Sequence, residues 1–441
     1  MSLIKIASAQ TYRQMFDKLD ITFQTQPHSF YTQISGTLGS NATLMSSYLN
    51  MYEATQDIKY LNEFVICSKR VMDRRDDFIN SSTYITDANY SITCDKGNTS
   101  FSSNVAGVIQ HVMLNGYKAW SRIEFSDACL PEPYPNFKES GEITFPMARF
   151  VLLIMENSNL SSLMIPYEVN SVSNSTNYGN AIVINMGEYA NWLKLRVYET
   201  LHFHYINDWD DWAGRFVSNY SNGKGYNLQC AIGRTLIIMN YIANIENDIA
   251  TVSGYTNVIE KIAAYLYDNI HANIPTNPAT VGNGLTWYTW QHYEGDTLIE
   301  DISHAMLDVE FAELYMDYFH PISGYGRFDI TDMRKFANGF ANRVIFNPLD
   351  LRMNTYGTNC NCNQMCCDCD VNIRNGNGSG CENSINPPEF YNFAVQAYIF
   401  LTKYNYDIYQ QICDFYMVRN SYEGYANVSA LNAYSLLGAK N

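Results

Sequence analysis

The stretch YLNMYEATQDIKYLNEFVICSKRVMD, residues 48–73, determines the fold class that we predict. On each side of the polar turn Thr55–Asp57, apolar residues recur at the 3.6-residue period of a packed helix. The first half is rich in small residues and tyrosine, and the second half is amphipathic. Because two helices joined by so short a turn pack against each other, residues 48–73 predict an αα-hairpin.

The same plan recurs along the chain. The further copies occupy residues 231–270, residues 303–319 with 331–344, and residues 390–417, with a degenerate copy at 146–157 and 191–198. At about 60–75 residues per hairpin and loop, the chain holds about six hairpins. Neighbouring hairpins must stack to bury their apolar faces, and long polar loops such as 87–103 join them.

We therefore predict an all-α protein in which residues 1–441 form a single (α/α)6-type toroid of helical hairpins with long loops. A Cys-, Gly- and Asn-rich loop at 355–388 is an insertion in this plan. The structural rival is an open α-solenoid, whose repeats are shorter and whose loops are tighter.

Two motifs carry a resemblance to a known class of proteins. The first is Tyr52–Leu61, which reads Y…T-Q-D-x-x-Y-L and is followed by Arg74–Asp77. The second is YTWQHYEGDTLIEDISHAMLDVEF, residues 288–311, in which an E-D-x-S-H run opens a helix. Both resemble the α/α-toroid, or six-hairpin, carbohydrate-active enzymes, which include glycoside hydrolases, polysaccharide lyases and uronyl epimerases. The resemblance implies a toroid whose cleft holds a polysaccharide.

Composition excludes several classes of function. The 28 Lys+Arg residues stand against 44 Asp+Glu residues, giving a formal charge of −16, and no basic cluster occurs. Nucleic acid and anionic membrane surfaces are therefore poor partners. No apolar run reaches the length of a membrane span, and the N-terminus does not resemble a secretory signal. We expect a cytoplasmic or virion-associated protein that can assemble with other protein chains.

The expected catalytic residues lie on the predicted helix 300–317. Glu300, His304 and Asp308 follow one another at intervals of four, on a different face from the packing stripe, with Asp301 at the edge. A carboxylate beside His orients the imidazole and suits it to general acid–base catalysis. The structural alternative is that the helix dipole stabilises Glu300 and Asp301 at the N-terminus, that Asp301 caps the helix, and that Asp308 is solvated. Tyr293 is a further candidate acid or base.

Two aromatic segments are the expected substrate-binding regions, because sugar rings stack on flat side chains. They supply the candidates Trp287, Trp290 and His292, and Trp209, Trp212 and Arg215, of which Arg215 could neutralise a uronate. The same aromatic residues also suit core edges or protein interfaces. Nearby, His202 and His204 could bind one metal ion only on an extended segment, where both side chains point the same way. A helix turns about 100° per residue and would point them apart.

Six cysteines lie in the predicted insertion, at Cys360, Cys362, Cys366, Cys367, Cys369 and Cys381. Their spacing differs from the paired C-x2-C pattern of common zinc sites. A structural zinc site, a set of disulfides and free thiols all stay open as interpretations.

The sequence thus predicts a carbohydrate-active protein that processes a polysaccharide as a lyase or a glycoside hydrolase. The acidic net charge counts against a lyase, which needs positive charge around a uronate substrate. The alternative is a non-catalytic structural or glycan-binding protein, such as one of a virus or phage particle.

Overall fold

The structure is a computed structural model that describes the chain in fourteen ranges. The described residues are 2–25, 37–78, 92–93, 100–101, 116–122, 134–167, 169, 183–217, 223–272, 286–294, 299–347, 350–351, 395–419 and 424–440. Most of these residues are helical, which confirms the all-α prediction. Closure of the hairpins into a toroid stays a prediction. The cysteine-rich insertion at 355–388 lies outside the described residues.

Thirteen α-helices are described in these ranges. They are α1 Ser2–Thr25, α2 Thr37–Thr55, α3 Ile58–Met72, α4 Phe137–Glu156, α5 Ser158–Ser161, α6 Met186–Asp208, α7 Tyr226–Ile245, α8 Ile249–Ala272, α9 Ile302–Leu314, α10 His320–Ser323, α11 Ile330–Gly339, α12 Asp407–Arg419 and α13 Tyr425–Lys440. Two π-helical turns, Tyr315–Phe319 and Phe340–Val344, extend α9 and α11, and Val395–Lys403 forms a 3₁₀ helix.

The few strands pair in antiparallel two-stranded ribbons. The pairs are β1 Ile92–Thr93 with β2 Ser100–Phe101, β3 Ser121–Arg122 with β4 Tyr134–Pro135, β5 Trp209–Asp210 with β6 Arg215–Phe216, and β7 Ile345–Asn347 with β8 Asp350–Leu351.

The hairpin expected from residues 48–73 is present as α2 and α3, and its turn follows from local chemistry. Gln56 adopts a left-handed backbone conformation with φ 58°, which reverses the chain after α2. Asp57 then caps α3, because its carboxylate accepts a hydrogen bond from the backbone N–H of Lys59. The prediction of this hairpin is confirmed.

Helices are also present where the other copies were expected. Helices α7 and α8 cover the residues of the copy at 231–270, and α9 and α11 cover those of the third copy. The degenerate copy corresponds to α4 and α6, which are longer than the motif that suggested them. The first helix of the fourth copy is wound as a 3₁₀ helix, Val395–Lys403, rather than as an α-helix.

The chain packs as two compact units. Unit 1 comprises Met1–Leu19, Lys224–Cys230 and Ala250–Asn441, and unit 2 comprises Asp20–Gly223 and Ala231–Ile249.

The core of unit 2 is built where α2, α3, α4 and α6 pack together. The rings of Phe64 and Phe150 stack with their centroids 4.6 Å apart. The buried hydroxyls of Ser68 and Tyr189 lie 2.9 Å apart, so a polar contact also joins α3 to α6. These contacts fix α6, whose C-terminal end leads directly into the β5–β6 hairpin that carries the predicted binding residues Trp209, Trp212 and Arg215.

The core of unit 1 surrounds α9, which is buried on most of its circumference. Phe340 and Tyr398 stack with their centroids 4.3 Å apart, and the hydroxyl of Tyr398 donates to the carbonyl of Ile302 at 2.7 Å. The first residue of α9 is therefore anchored from the 3₁₀ helix. Among the described helices, none has both the length and the apolar character needed to cross a membrane.

Candidate functional site

The candidate site in unit 1 is organised by a short backbone pairing ahead of α9. Gln291 and Ile299 form an antiparallel bridge, and the backbone N–H of Glu300 donates to the carbonyl of Trp290 at 2.9 Å. The pairing places the side chain of His292 next to that of Glu300. It fixes both residues through the backbone rather than through side-chain packing alone.

Asp301 begins helix α9. Its Oδ1 accepts hydrogen bonds from the backbone N–H groups of Ser303 at 2.8 Å and His304 at 3.1 Å, and from the hydroxyl of Ser303 at 2.5 Å. The helix therefore starts at Ile302, and the prediction of a helix beginning at Glu300 is wrong by two residues. Because Asp301 adopts an extended conformation, Glu300 precedes the helix and its side chain can lie beneath the first turn.

His292, Glu300 and His304 form what we call the His–Glu cluster. The carboxylate oxygen Oε1 of Glu300 lies 3.0 Å from Nδ1 of His292 and 3.6 Å from Nδ1 of His304. Glu300 is completely buried, whereas the side chains of His292 and His304 are 31% and 40% exposed. The cluster thus combines a buried carboxyl group with two imidazoles that reach solvent.

The cluster could hold a metal ion. One ligand atom from each of the three residues lies within 4.8 Å of the other two. Two imidazole nitrogens and a carboxylate oxygen are a ligand set found in catalytic zinc sites. The approach of Glu300 to His304 is the one that their spacing predicts, while the third member, His292, was expected only as a substrate-binding residue.

Asp301 adds a second carboxylate beside His304. Its Oδ2 lies 2.6 Å from Nδ1 of His304. Burial would raise the pKa of Asp301, but hydrogen bonding and charge from His304, with the hydrogen bond from Ser303, outweigh it and lower the pKa to about 2. Asp301 is therefore ionised at neutral pH and serves both as helix cap and as partner of His304.

Asp308 lies apart from solvent, on the buried side of α9. The indole Nε1 of Trp290 donates to its Oδ2 at 2.9 Å. Burial, reinforced by the charge of Glu300, raises the pKa of Asp308 well above its usual value. The interpretation of Asp308 as a solvated residue is therefore wrong, because the side chain is completely buried.

The aromatic residues of this segment divide into buried and accessible groups. Trp287 and Trp290 are each 3% exposed, so their rings are part of the core and would have to become exposed to stack on a sugar. Tyr293 is half-buried, with its ring centroid 5.8 Å from that of His292. The ammonium group of Lys224 lies 5.8 Å from the same tyrosine ring.

The other predicted binding residues lie in unit 2, on the β5–β6 hairpin. Trp212 in its turn is 97% exposed. The carboxylate of Asp210 accepts hydrogen bonds from the backbone N–H groups of Trp212 and Ala213, both at 2.9 Å, and Gly214 has φ 65°. Arg215 lies opposite Asp210 in the backbone register of the two strands. The hairpin therefore holds an exposed indole on a well-defined turn.

An aromatic row leads into this hairpin, and among its members only Trp209 was expected from the sequence as a binding residue. It consists of Tyr198, His202 and Tyr205 of α6 and Trp209 of β5, which succeed one another at intervals of three and four. Tyr198 and His202 stack at 6.0 Å with an interplanar angle of 6°, and Tyr205 and Trp209 stack at 6.4 Å and 23°. The interval of three and four was the signal in the sequence that could have revealed this face.

The helical conformation of this segment also separates His202 from His204. His202 is exposed, whereas His204 is buried and contacts Asp208 and Ser140. The extended conformation that a shared metal would need is absent there, since both residues lie within α6.

Comparisons with protein-family models, with curated proteins and with solved structures find no match to this chain.

Proposed function

We propose that the protein is an enzyme that processes a polysaccharide, with the His–Glu cluster as its reaction centre. The observation that carries this proposal is the convergence of two half-exposed imidazoles, His292 and His304, on the buried carboxylate of Glu300. Polar, partly solvent-accessible clusters of this kind are typical of active sites rather than of packing. The closed (α/α)6 toroid around it is part of the same proposal.

The burial of the carboxyl groups supports one of the two reactions expected from the sequence over the other. Two-carboxylate glycoside hydrolysis requires both carboxyl groups to flank the scissile bond. Glu300 and Asp308 are each 0% exposed, so neither reaches a substrate directly. Proton abstraction next to a uronate carboxylate, as in a lyase or an epimerase, is better supported because the solvent-facing groups are His292, His304 and Tyr293.

A glycan as ligand is supported by the aromatic row and by Trp212. Sugars present C–H faces to aromatic rings, and the tyrosine hydroxyls, the histidine and the indole N–H of the row add polar groups. Tyr198, His202 and Tyr205 of the row are exposed, and a regular series of exposed aromatic side chains favours an external ligand. The row lies in unit 2 and supports binding rather than catalysis.

The experiment is an incubation of the purified protein with matched uronate-containing and neutral glycans. A lyase produces new absorbance near the ultraviolet edge from the unsaturated product, whereas a hydrolase produces reducing ends alone. We expect unsaturated product from a uronate glycan, and loss of that product in Glu300→Gln. The control is His320→Ala, which changes an exposed histidine of the same unit outside the cluster.

A second candidate is a glycan-binding protein without catalytic activity, which the exposed aromatic row favours. Retention on an immobilised glycan without formation of any product would support it. Such a result, with wild-type retention by Glu300→Gln, would refute the enzymatic proposal.

A further inference from the structure

We infer that the His–Glu cluster is a binding site for a divalent transition-metal ion, with Zn²⁺ as the best match. The ligands are one ring nitrogen each from His292 and His304 and one carboxylate oxygen from Glu300. Two histidines and one glutamate are the protein ligands of a class of catalytic zinc sites, in which the fourth position stays open. The catalytic role of the ion rests on the proposed function, whereas its binding does not.

The spacing of the ligand atoms suits a metal of this size. With bonds of about 2.0–2.2 Å, two ligand atoms in tetrahedral coordination lie roughly 3.4 Å apart. Oε1 of Glu300 lies 3.0 Å from Nδ1 of His292, close to this value, and the ligand atoms of all three residues lie within 4.8 Å of one another. Only small side-chain rotations are needed to bring the three atoms around one ion.

The three ligands are held by different parts of the backbone, which makes the site preorganised. His292 and Glu300 are fixed relative to each other by the bridge between Gln291 and Ile299. His304 is fixed by the N-terminal turn of α9, where its backbone N–H is bonded to Asp301. Ordering of the ligands therefore costs little when the ion binds.

Asp301 contacts one of the three ligands, His304, without binding the ion itself. Its Oδ2 contacts Nδ1 of His304 at 2.6 Å, while its Oδ1 accepts the hydrogen bonds of the helix cap. Because this contact occupies Nδ1, the ring nitrogen of His304 that binds the ion is Nε2. Carboxylates in this position orient a histidine ligand and raise its basicity, and their loss typically weakens metal affinity about 10- to 100-fold. Asp301 is thus a positioning residue of the proposed site.

The two exposed imidazole edges give the ion access to solvent, and the open position would accept water or a substrate oxygen. A bound divalent ion would offset the negative charge of the carboxylates and polarise an oxygen of the substrate. The imidazoles would then serve as ligands, so that proton transfer falls to Tyr293 or to metal-bound water.

The test measures metal binding in the absence of any glycan. Full-length protein is stripped with a chelator and titrated with ZnCl2 and CoCl2 by calorimetry and absorption spectroscopy. We expect a Co²⁺ spectrum with d–d bands typical of nitrogen and oxygen ligands. Thiolate binding at the six clustered cysteines would instead add strong near-ultraviolet charge-transfer bands. Wild-type protein that shows only thiolate-type Co²⁺ binding, or none, overturns the proposal.

Variants then locate the ion. Glu300→Gln and His292→Ala should each remove the nitrogen/oxygen-type Co²⁺ signal, and Asp301→Asn, which preserves the helix cap, should weaken affinity about 10- to 100-fold. His320→Ala is the matched control and should bind as the wild type does. An unchanged signal in both Glu300→Gln and His292→Ala overturns the site. Since His292 is partly exposed, its variant keeps the test valid if the buried Glu300 variant does not fold.

Metal binding and glycan chemistry can fail separately. Stoichiometric Co²⁺ binding without any glycan product supports the site and refutes the proposed function. Product formation that is unchanged in metal-stripped protein, together with absent Co²⁺ binding, refutes the site and supports the proposed function.

Discussion

Nδ1 of His204 lies 2.5 Å from Oδ2 of Asp208, and both side chains are buried within unit 2. On its other edge, Nε2 of the same imidazole lies 2.8 Å from Oγ of Ser140. The three side chains link α6 to the N-terminal part of α4 through groups that are inaccessible to a substrate. Their arrangement is therefore a polar crosslink of the core, not a hydrolytic triad.

The substitution His204→Ala should lower the free energy of unfolding by about 2–4 kcal/mol, because it deprives two buried polar groups of the imidazole and leaves a cavity. Urea denaturation followed by circular dichroism measures the change. The control is His202→Ala, an exposed neighbour whose loss should alter stability by no more than about 0.5 kcal/mol. Equal effects of the two substitutions would contradict a structural role for His204.

Helices α4 and α7 approach each other at Gly141. A Cβ atom at this position would lie 2.5 Å from the backbone Cα and N atoms of Ile232 and 2.6 Å from the carbonyl carbon of Ala231. The contact is with backbone, which cannot rotate away. The approach is further stabilised by Thr235, whose hydroxyl donates to the carbonyl of Gly141 at 3.0 Å.

Gly141→Ala should therefore destabilise the protein by about 1–3 kcal/mol or more, because the helices must separate. Gly254→Ala is the matched substitution in α8, where an added Cβ meets nothing within 4 Å. It should stabilise the protein by about 0.5–1 kcal/mol through helix propensity. Thermal unfolding measures both, and an unchanged melting temperature for Gly141→Ala would contradict the backbone contact.

The sequence predicts well what short-range chemistry determines. The α2–α3 hairpin follows from the turn residues Gln56 and Asp57, which act on their immediate neighbours. The contact between Glu300 and His304 follows from a spacing of four residues, even though the helix begins after Glu300.

The sequence does not predict contacts that depend on chain segments meeting in space. His292 joins the cluster through a backbone bridge, and the buried Asp308 finds its hydrogen-bond donor in Trp290, 18 residues earlier in the chain. Ser140 and His204 are 64 residues apart, and nothing in the local pattern of either residue indicates the other. Pairing of this kind is set by packing, which no periodicity encodes.

Asp76 in unit 2 should make stability depend on pH. Burial raises the pKa of its carboxyl to about 8, although hydrogen bonds from the backbone N–H and hydroxyl of Ser121, at 3.0 and 2.5 Å, act to lower it. In the unfolded chain, Asp76 has its ordinary pKa of 3.8. Between these values the folded state holds a proton that the unfolded state has lost, so this contribution to stability falls as pH rises from about 4 to about 8.

The test compares the wild type with Asp76→Asn, which keeps the shape of the side chain and can hydrogen-bond to Ser121 without titrating. Melting temperatures are measured at intervals across this pH range. The wild type should lose stability relative to the variant as pH rises, with most of the difference developed by about pH 8. Parallel curves for the two proteins would show that Asp76 is ionised in the folded state.

Trp212 should contribute to glycan affinity without contributing to stability. Its indole is 97% exposed and lies in the turn just beyond the aromatic row. Loss of one stacking ring costs about 0.5–1.5 kcal/mol, which corresponds to a roughly 2- to 10-fold weaker affinity. Affinity electrophoresis through glycan-containing gels measures the effect of Trp212→Ala, and thermal unfolding should be unaffected.

The matched control for Trp212 is Tyr167→Ala, since Tyr167 is 82% exposed in the same unit but does not belong to the aromatic row. Both substitutions remove an exposed ring, so a general loss of aromatic surface would affect them equally. If Trp212→Ala alone weakens glycan affinity, and if replacing Tyr205 of the row by Ala as well weakens it further, the glycan binds on this surface. Equal retardation of the Trp212 and Tyr167 variants in the glycan gel would show that the hairpin is not part of the glycan-binding surface. An exposed indole that contacts the ligand must contribute measurably to its affinity.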